Sequence, residues 1–547
     1  MGNIGCMEKR NGQGNGNNLS QPDLLNAFSQ QNIFTFDEIS IDSRFDGGNL
    51  MLAEKVSPGM YNLWISPDCY KTEFETKHKV WFFFKAFNIN YGNEVKKTFI
   101  FKIKNMNKLQ IKNYRSGMVP VVCSPSTGNS WTYLPTPLND MSIGDNYIEI
   151  TFQFTFQPED STGAFFAFTF PYNYTDCQNF LNYLENTFTN DNDIYFHREL
   201  IANSLEGRRI DLLTITAHDP NILSNPEKAF ETEPFIPGLF PDKNPQNRAV
   251  TNFINRHQNR PFVFKNKKYI FLSARVHPCE SPASFMLQSF IVNLLNKNDP
   301  VSVSLLKNCV FVIIPMLNPD GVFRGHYRSD TKGRDLNRVY HQLDINEHPG
   351  PYSAMEVAKS LADGRLVFYV DMHAHSQKDG GFVFANYTTD LTERAEIRIF
   401  ARLLDIYSRN FDFNSCGFGS PPSQEKDEAD KKGVGKTEIG KETRCPHCYT
   451  LEVSYYKGTK DIKRYNPKEN PKQDLFRKSD SVLGISEFNE IGDSLRNAFA
   501  EYLGIHPNSY LGNTFYLGMD GLRKRVTNFV HKNAKEKEEQ KRDNEDD

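Results

Sequence analysis

Residues 268–280 read KYIFLSARVHPCE and residues 366–376 read LVFYVDMHAHS. Each begins as an apolar run of strand length, Lys268–Val276 and Leu366–Val370, and each then turns polar. Apolar runs this short predict buried strands rather than buried helices, which need ten or more residues. Two more such runs follow the same logic, Cys309–Ile314 and Tyr449–Tyr455. Between them lie segments with helical patterning. Ser284–Leu295 carries Met286, Leu287, Phe290, Ile291, Leu294 and Leu295 at helical spacing, and Cys177–Phe188 and Ala395–Leu404 also read as helices. Strands alternating with helices predict an α/β domain over 173–530, a mixed or parallel sheet covered by helices. In such sheets ligands bind beyond the carboxyl ends of the strands.

Upstream the pattern differs. In Tyr147–Phe154 the residues Ile148, Ile150, Phe152 and Phe154 alternate with Glu149, Thr151 and Gln153, the period of a half-buried strand. Lys79–Phe87, Thr98–Ile103 and Gly163–Phe170 are further strand-length runs with no long helix between them. Residues 36–172 are therefore expected to form an all-β antiparallel sandwich domain. Residues 1–35, rich in Gly, Asn, Gln and Ser, predict a disordered tail. Residues 531–547 hold five basic and seven acidic side chains and predict a solvated helix extension or disorder. Phe418–Arg444 and Lys457–Asp480 read as polar insertions in the second domain, the latter with eight basic against four acidic residues.

Composition removes several function classes. Among 547 residues, 64 basic side chains stand against 67 acidic ones, so the basic surface of a general nucleic-acid binder is not expected. Mean hydropathy is −0.58, and no apolar run approaches the ~18–20 residues of a membrane span. Nine cysteines, few and odd in number, argue for a reducing compartment rather than a disulfide scaffold. The first residues, MGNIGCMEKR, contain no apolar stretch of the kind a secretory leader carries. Gly2 and Cys6 approach an acylation pattern, although Cys6 stands where that pattern has Ser or Thr.

The polar clusters carry the chemistry. His277-Pro278-Cys279-Glu280 follows one strand, and Asp371-Met372-His373-Ala374-His375-Ser376 follows another. A catalytic zinc takes three protein ligands, often two His and one Glu, and keeps a position for water. A His and a Glu three apart, with a distant His at a neighbouring strand end, supply such a set. By itself the first motif also fits an ordinary loop. Between these clusters, Phe323–Arg338 has five basic residues against two acidic, either a solvated loop or an anion site. Arginine's planar fork suits a carboxylate, and Asn337 beside Arg338 adds an amide donor. Glu452, inside the apolar run Tyr449-Thr450-Leu451-Glu452-Val453, is costly to bury unless it has work to do or a salt-bridge partner. Near a metal it can serve as general base.

Taken together, HPCE at 277–280, NPDGVFRGHYR at 318–328, DLNR at 335–338, DMHAHS at 371–376 and YTLE at 449–452 resemble the cytosolic carboxypeptidase branch of the zinc metallocarboxypeptidases. The resemblance covers about residues 40–530. Met316–Asn337 and His447–Glu452 look most like the type that removes branch-point glutamates. The resemblance implies one zinc per chain, held by His277, Glu280 and His373, with Glu452 as general base. It implies that Arg328 polarises the scissile carbonyl, that Asn337 and Arg338 clamp the terminal carboxylate, and that Asp335 orients a ligand histidine. His375 would share the face of His373 only if the strand continued that far, and three ligands already complete the site. Arg324 and Lys436 are candidate readers of a glutamate side chain. Lys436 ends a Gly433-Val434-Gly435-Lys436 run sixteen residues before Glu452 that is similar to the family's glycine-rich segment.

The implied substrate is polyglutamylated tubulin, microtubules or a similar acidic protein tail, acted on by a monomer in the cytoplasm, with cytoskeleton, cilium and nucleus as further destinations. A deacylase of small N-acyl amino acids shares the ligand set. A catalytically inactive microtubule-binding protein is the reading from another class, and retention of Glu452 and all three ligands argues against it. Three departures stand out. Cys279 occupies a position that is usually glycine, and no tyrosine occurs between Gly417 and Cys448 to close over substrate as in the digestive relatives. Cys445-Pro446-His447-Cys448 spells a CxxC, yet it leads into a strand, whereas a redox dithiol wants to open a helix.

Overall fold

The computed structural model describes residues 33–218, 260–420, 432–459 and 482–543. Gly2, Cys6 and nearly all of Lys457–Asp480 lie outside those residues. The chain divides into two units, Met1–Gln178 with His277–Ser281 and Asn318–Asp335, and Asn179–Val276 with Pro282–Leu317 and Leu336–Asp547.

In the first unit the apolar alternation is realised as eleven strands among the described residues. They are β1 (Ile33–Thr35), β2 (Ser40–Asp42), β3 (Leu52–Ser57), β4 (Met60–Trp64), β5 (Phe83–Phe87), β6 (Lys97–Asn107), β7 (Val121–Cys123), β8 (Thr132–Tyr133), β9 (Asp140–Ile143), β10 (Tyr147–Phe156) and β11 (Ala164–Ala167). One sheet has the order β1-β2-β5-β11-β7-β8 and the other β3-β4-β6-β10-β9. Phenylalanines from the inner faces meet between them: Phe84 on β5 lies 5.5 Å from Phe101 on β6, and Phe166 on β11 lies 5.4 Å from Phe101. Phe84, Phe101, Phe152 and Phe166 are fully buried, each contributing about 1.5–3 kcal/mol of transfer free energy. One pair corrects the all-antiparallel expectation: β4 runs parallel to β6. The chain leaves β4, forms β5 in the other sheet and returns as β6, the kind of crossover connection that parallel neighbours need. Lys79–Phe87 also yields a shorter strand than its apolar run suggests, β5 from Phe83 only.

The second unit contains one seven-stranded mixed sheet. Its strands are β12 (Ile194–Asn203), β13 (Arg209–Ala217), β14 (Lys268–Ala274), β15 (Cys309–Ile314), β16 (Leu366–His375), β17 (Gly381–Ala385) and β18 (Cys448–Ser454), in the order β12-β13-β15-β14-β16-β18-β17. The four central strands β15, β14, β16 and β18 are mutually parallel, and antiparallel strands flank them. β14, β15 and the first half of β16 are largely apolar because helices cover both faces of the sheet. On one face Phe368 of β16 packs 4.6 Å from Phe400 and 5.0 Å from Phe499. Those rings belong to helices α1 (Leu391–Tyr407) and α2 (Ile485–Tyr502). Asp390 caps α1 by accepting the backbone N–H groups of Thr392 and Glu393 at 2.7 and 3.1 Å. In α2, Gly492 passes so close to the Met286 carbonyl that a Cβ would stand 2.1 Å from its oxygen. On the other face Ala354, Met355 and Ala358 of helix Pro349–Ser360 join Ile439, Tyr369 and Phe271 in one buried cluster.

Two expectations are corrected by this geometry, and two polar segments gain a helix. The Leu366–Val370 run does not end at Val370: β16 continues through Asp371, His373 and His375, so the second polar cluster lies inside a strand. NPDG, whose Asn-Pro and Asp-Gly pairs read in the sequence as a turn closing a buried strand, opens a five-residue helix, Pro319–Phe323, capped by the Asn318 side chain on Gly321 N–H. The polar stretch Phe418–Arg444 contains the helix Gly435–Thr443. The C-terminal helix Met519–Asp543 carries the charged tail as helix to Asp543.

Candidate active site and metal centre

His277 stands three residues beyond the end of β14, in the turn leading to the helix Ser281–Leu294. Its Nδ1 lies 2.9 Å from Glu280 Oε1, and its Nε2 lies 3.1 Å from Asp335 Oδ1. Asp335 uses its other oxygen for Arg328, at 2.8 Å from Nε and 2.6 Å from the terminal nitrogen. Arg328 is thus held through two nitrogens on one carboxylate oxygen. Burial works against its charge, but Asp335 and Glu280 more than offset that, so its pKa sits above the usual value.

His373 lies on β16 two residues after Asp371, so both side chains point to the same face of the strand. Its Nε2 is 2.8 Å from Asp371 Oδ2, and the Ser273 hydroxyl donates to Asp371 Oδ1 at 2.7 Å. In both histidines a carboxylate engages Nε2, which makes Nδ1 the nitrogen suited to a metal. Ligand atoms of His277, Glu280 and His373 all lie within 4.8 Å of one another, and all three residues are buried. Tetrahedral ligands at ~2.0–2.2 Å from zinc stand about 3.5 Å apart, so donor type and placement both fit one zinc.

Glu452 sits on β18 in register with His373 on β16, side by side on one face, and is only 8 % exposed. His375 shares that face too, paired with Ser454, so the strand does extend far enough for it. Its ring instead meets Phe382 at 5.3 Å, and its Nδ1 accepts the N–H groups of Gln377 and Lys378. The metal-capable group found among the described residues does not include it.

Asn337 and the GVGK segment come together. The Asn337 side-chain oxygen accepts the Gly435 N–H at 2.9 Å, which directs its amide NH2 the opposite way. Gly433 has φ +74, and a Cβ there would meet the Arg338 carbonyl oxygen at 2.2 Å, so this close approach requires glycine. Lys436 Nζ donates to Asn386 Oδ1 at 3.0 Å, and Asn386 in turn donates to the Lys436 carbonyl. Arg338 reaches back to the Asn337 carbonyl at 2.9 Å. Arg324 ends the helix Pro319–Phe323 and is half-buried.

The CxxC motif is not built for redox work. Cys445 and Cys448 are both buried, and Cys448 opens β18. A side-chain hydrogen bond with Cys445 and burial hold the Cys448 thiol well above its ordinary pKa. His447, between them, bridges the Tyr449 and Tyr502 hydroxyls at 2.9 and 2.7 Å. Burial pushes its pKa down to about 3, so it is a neutral core histidine. Cys279 is buried in the turn that carries two metal-ligand candidates, its N–H bonded to the Tyr327 carbonyl.

Sequence reading missed Asp371 and Asn386. The i, i+2 spacing of Asp371 and His373 would have revealed the first, had the strand been carried past Val370.

Residues 41–168 match the family described as cytosolic carboxypeptidase N-terminal domain, and residues 181–379 match zinc carboxypeptidase. Cytosolic carboxypeptidase 6 of Mus musculus is 34% identical, over 76% of this chain and 67% of that protein. Its Caenorhabditis elegans counterpart is 31% identical over 80% and 82%. Human cytosolic carboxypeptidase-like protein 5 is 30% identical over 76% of this chain, which spans only 58% of that protein's length. Among solved structures, a metallo-carboxypeptidase from Burkholderia cenocepacia shares the fold, with TM-score 0.58 and 18% identity over 85% of this chain and 99% of that one. The family uses zinc, in keeping with the donor set above. By sequence and by architecture, the chain belongs to the cytosolic carboxypeptidase family of zinc carboxypeptidases.

Proposed function

We propose that this chain is a zinc-dependent carboxypeptidase that removes C-terminal glutamates from acidic protein tails in the cytoplasm, polyglutamylated tubulin and microtubules foremost. The observation that carries the reading is the convergence of His277, Glu280 and His373, with Glu452 in register beside His373. His277, Glu280 and His373 would hold the ion, and zinc when bound supplies Lewis acidity toward water and the scissile carbonyl. Glu452 takes a proton from the attacking water and later delivers it to the leaving amine. Asp335 and Asp371 fix the tautomer and ring orientation of the two histidines. Arg328 stabilises the charge that develops on the carbonyl oxygen, an interaction worth most in the transition state.

Exopeptidase action needs a feature that senses a free α-carboxylate. Asn337 and Arg338 fill that role, with the Asn337 amide oriented by Gly435. Lys436, held by Asn386, reads the glutamate side chain, and Arg324 is the second candidate.

Peptides ending in Glu, as linear chains and as γ-linked branches, are compared with peptides ending in Leu or Lys, products being read by mass. Glu-ended peptides are expected to be preferred. Lys436→Ala should lower kcat/KM for them by about tenfold or more, the ~1.5–3 kcal/mol of one charge-assisted hydrogen bond. Equal rates on Glu-, Leu- and Lys-ended peptides would refute the glutamate assignment.

A further inference from the structure

Asp68 is a carboxylate buried to 1 % exposure, and its bonds go to the backbone that carries Arg328. Its Oδ1 accepts the N–H of Tyr327 at 2.6 Å, and its Oδ2 accepts those of Arg328 and Ser329 at 2.8 and 2.9 Å. Asp68 and Arg328 are 260 residues apart in sequence. Three consecutive N–H groups turned onto one carboxylate form an anion-binding concavity, so the charge dictates the local conformation. The next residue extends the grip. Cys69 N–H donates to His326 Nε2 at 3.2 Å, and the Cys69 thiol donates to the Asp330 carbonyl at 3.1 Å. With Nε2 accepting, the His326 proton is on Nδ1, which donates to the Ser329 carbonyl at 3.1 Å. Cys69 holds φ +59, a left-handed conformation uncommon for any residue other than glycine, which the surrounding bonds must sustain. Asp68 is itself pinned, its N–H on the His78 carbonyl and its carbonyl accepting Thr76 N–H.

We propose that Asp68 is a positioning residue for Arg328, fixing the backbone from which the guanidinium reaches Asp335 and the reacting carbonyl. The inference rests on the role given to Arg328 above. A buried carboxylate without strong partners would be costly, and here its partners are the backbone N–H groups of the arginine and its two neighbours. Displacing that backbone moves the guanidinium relative to the carbonyl, and because the Tyr327 carbonyl also accepts the Cys279 N–H in the turn that carries His277 and Glu280, zinc content is read beside turnover.

The test is a double-mutant cycle on the 547-residue chain with zinc bound and a Glu-ended peptide. Asp68→Asn keeps the shape but replaces one acceptor oxygen with a donor NH2. It should lower kcat, normalised to bound zinc, by about 10- to 100-fold while KM stays within about twofold, the scale of a misplaced catalytic group. In an Arg328→Ala background the same substitution should change kcat by less than about twofold, because sites acting through one group are not additive. Should Asp68→Asn fail to fold, Asp68→Glu, which keeps the charge and moves the acceptors by one methylene, carries the same cycle. Full multiplicative loss in the Arg328→Ala background, or unchanged kcat in the single variant, would overturn the proposal. If Arg328→Ala itself retained full activity, the reading of Arg328 would fall instead.

Discussion

His373→Ala protein is expected to fold, to lose zinc and to lose turnover together. The β16–β18 ladder that carries His373 is held by backbone bonds and apolar neighbours, so removing one imidazole leaves the sheet in place. The metal loses one of three protein ligands. Zinc affinity should fall by more than the ~10–100-fold expected for an outer partner such as Asp335 or Asp371. Equilibrium dialysis against a zinc buffer reads the first quantity and peptide hydrolysis the second. A variant that kept both its zinc and its turnover would remove His373 from the site.

Glu452→Gln separates the metal from the proton. The amide has the same shape and Glu452 is not among the residues expected to hold zinc, so metal content should remain at one per chain. Because an amide cannot accept the proton of the attacking water, kcat should fall by about 10²–10⁴-fold, the usual size of general-base catalysis. Buried beside His373, the position gives another carboxylate little room to take over. Retention of more than a tenth of wild-type kcat would mean that a different base acts.

Much of this arrangement was legible in the sequence because strands and ligands there are local features. The Tyr147–Phe154 alternation became β10 with the same face buried, and Cys309–Ile314 became β15 with the same bounds. What failed were pairing and polarity. Nothing in the residues of β4 states that it runs parallel to β6, since pairing direction is set by the connection between them, which passes through β5 in the other sheet. The strand carrying His373 was cut short because Asp371 reads as a loop residue. It is tolerated inside the sheet because Ser273 and His373 satisfy its oxygens. Asp68, in the Ser66-Pro67-Asp68-Cys69 stretch, reads as an ordinary turn residue; its partners are some 260 positions away and are backbone groups, which leave no trace in side-chain pattern.

The most direct test of the central claim uses one peptide in two forms, ending in a free-acid glutamate and in its C-terminal amide. If Asn337 and Arg338 sense the α-carboxylate beside a His277–Glu280–His373 zinc, mass spectrometry should show loss of single C-terminal glutamates from the acid. The amide should be cleaved at least about 100-fold more slowly, as expected when a bidentate charge pair is lost. Equal cleavage of both forms, or cuts inside either chain, would contradict carboxypeptidase action by this site.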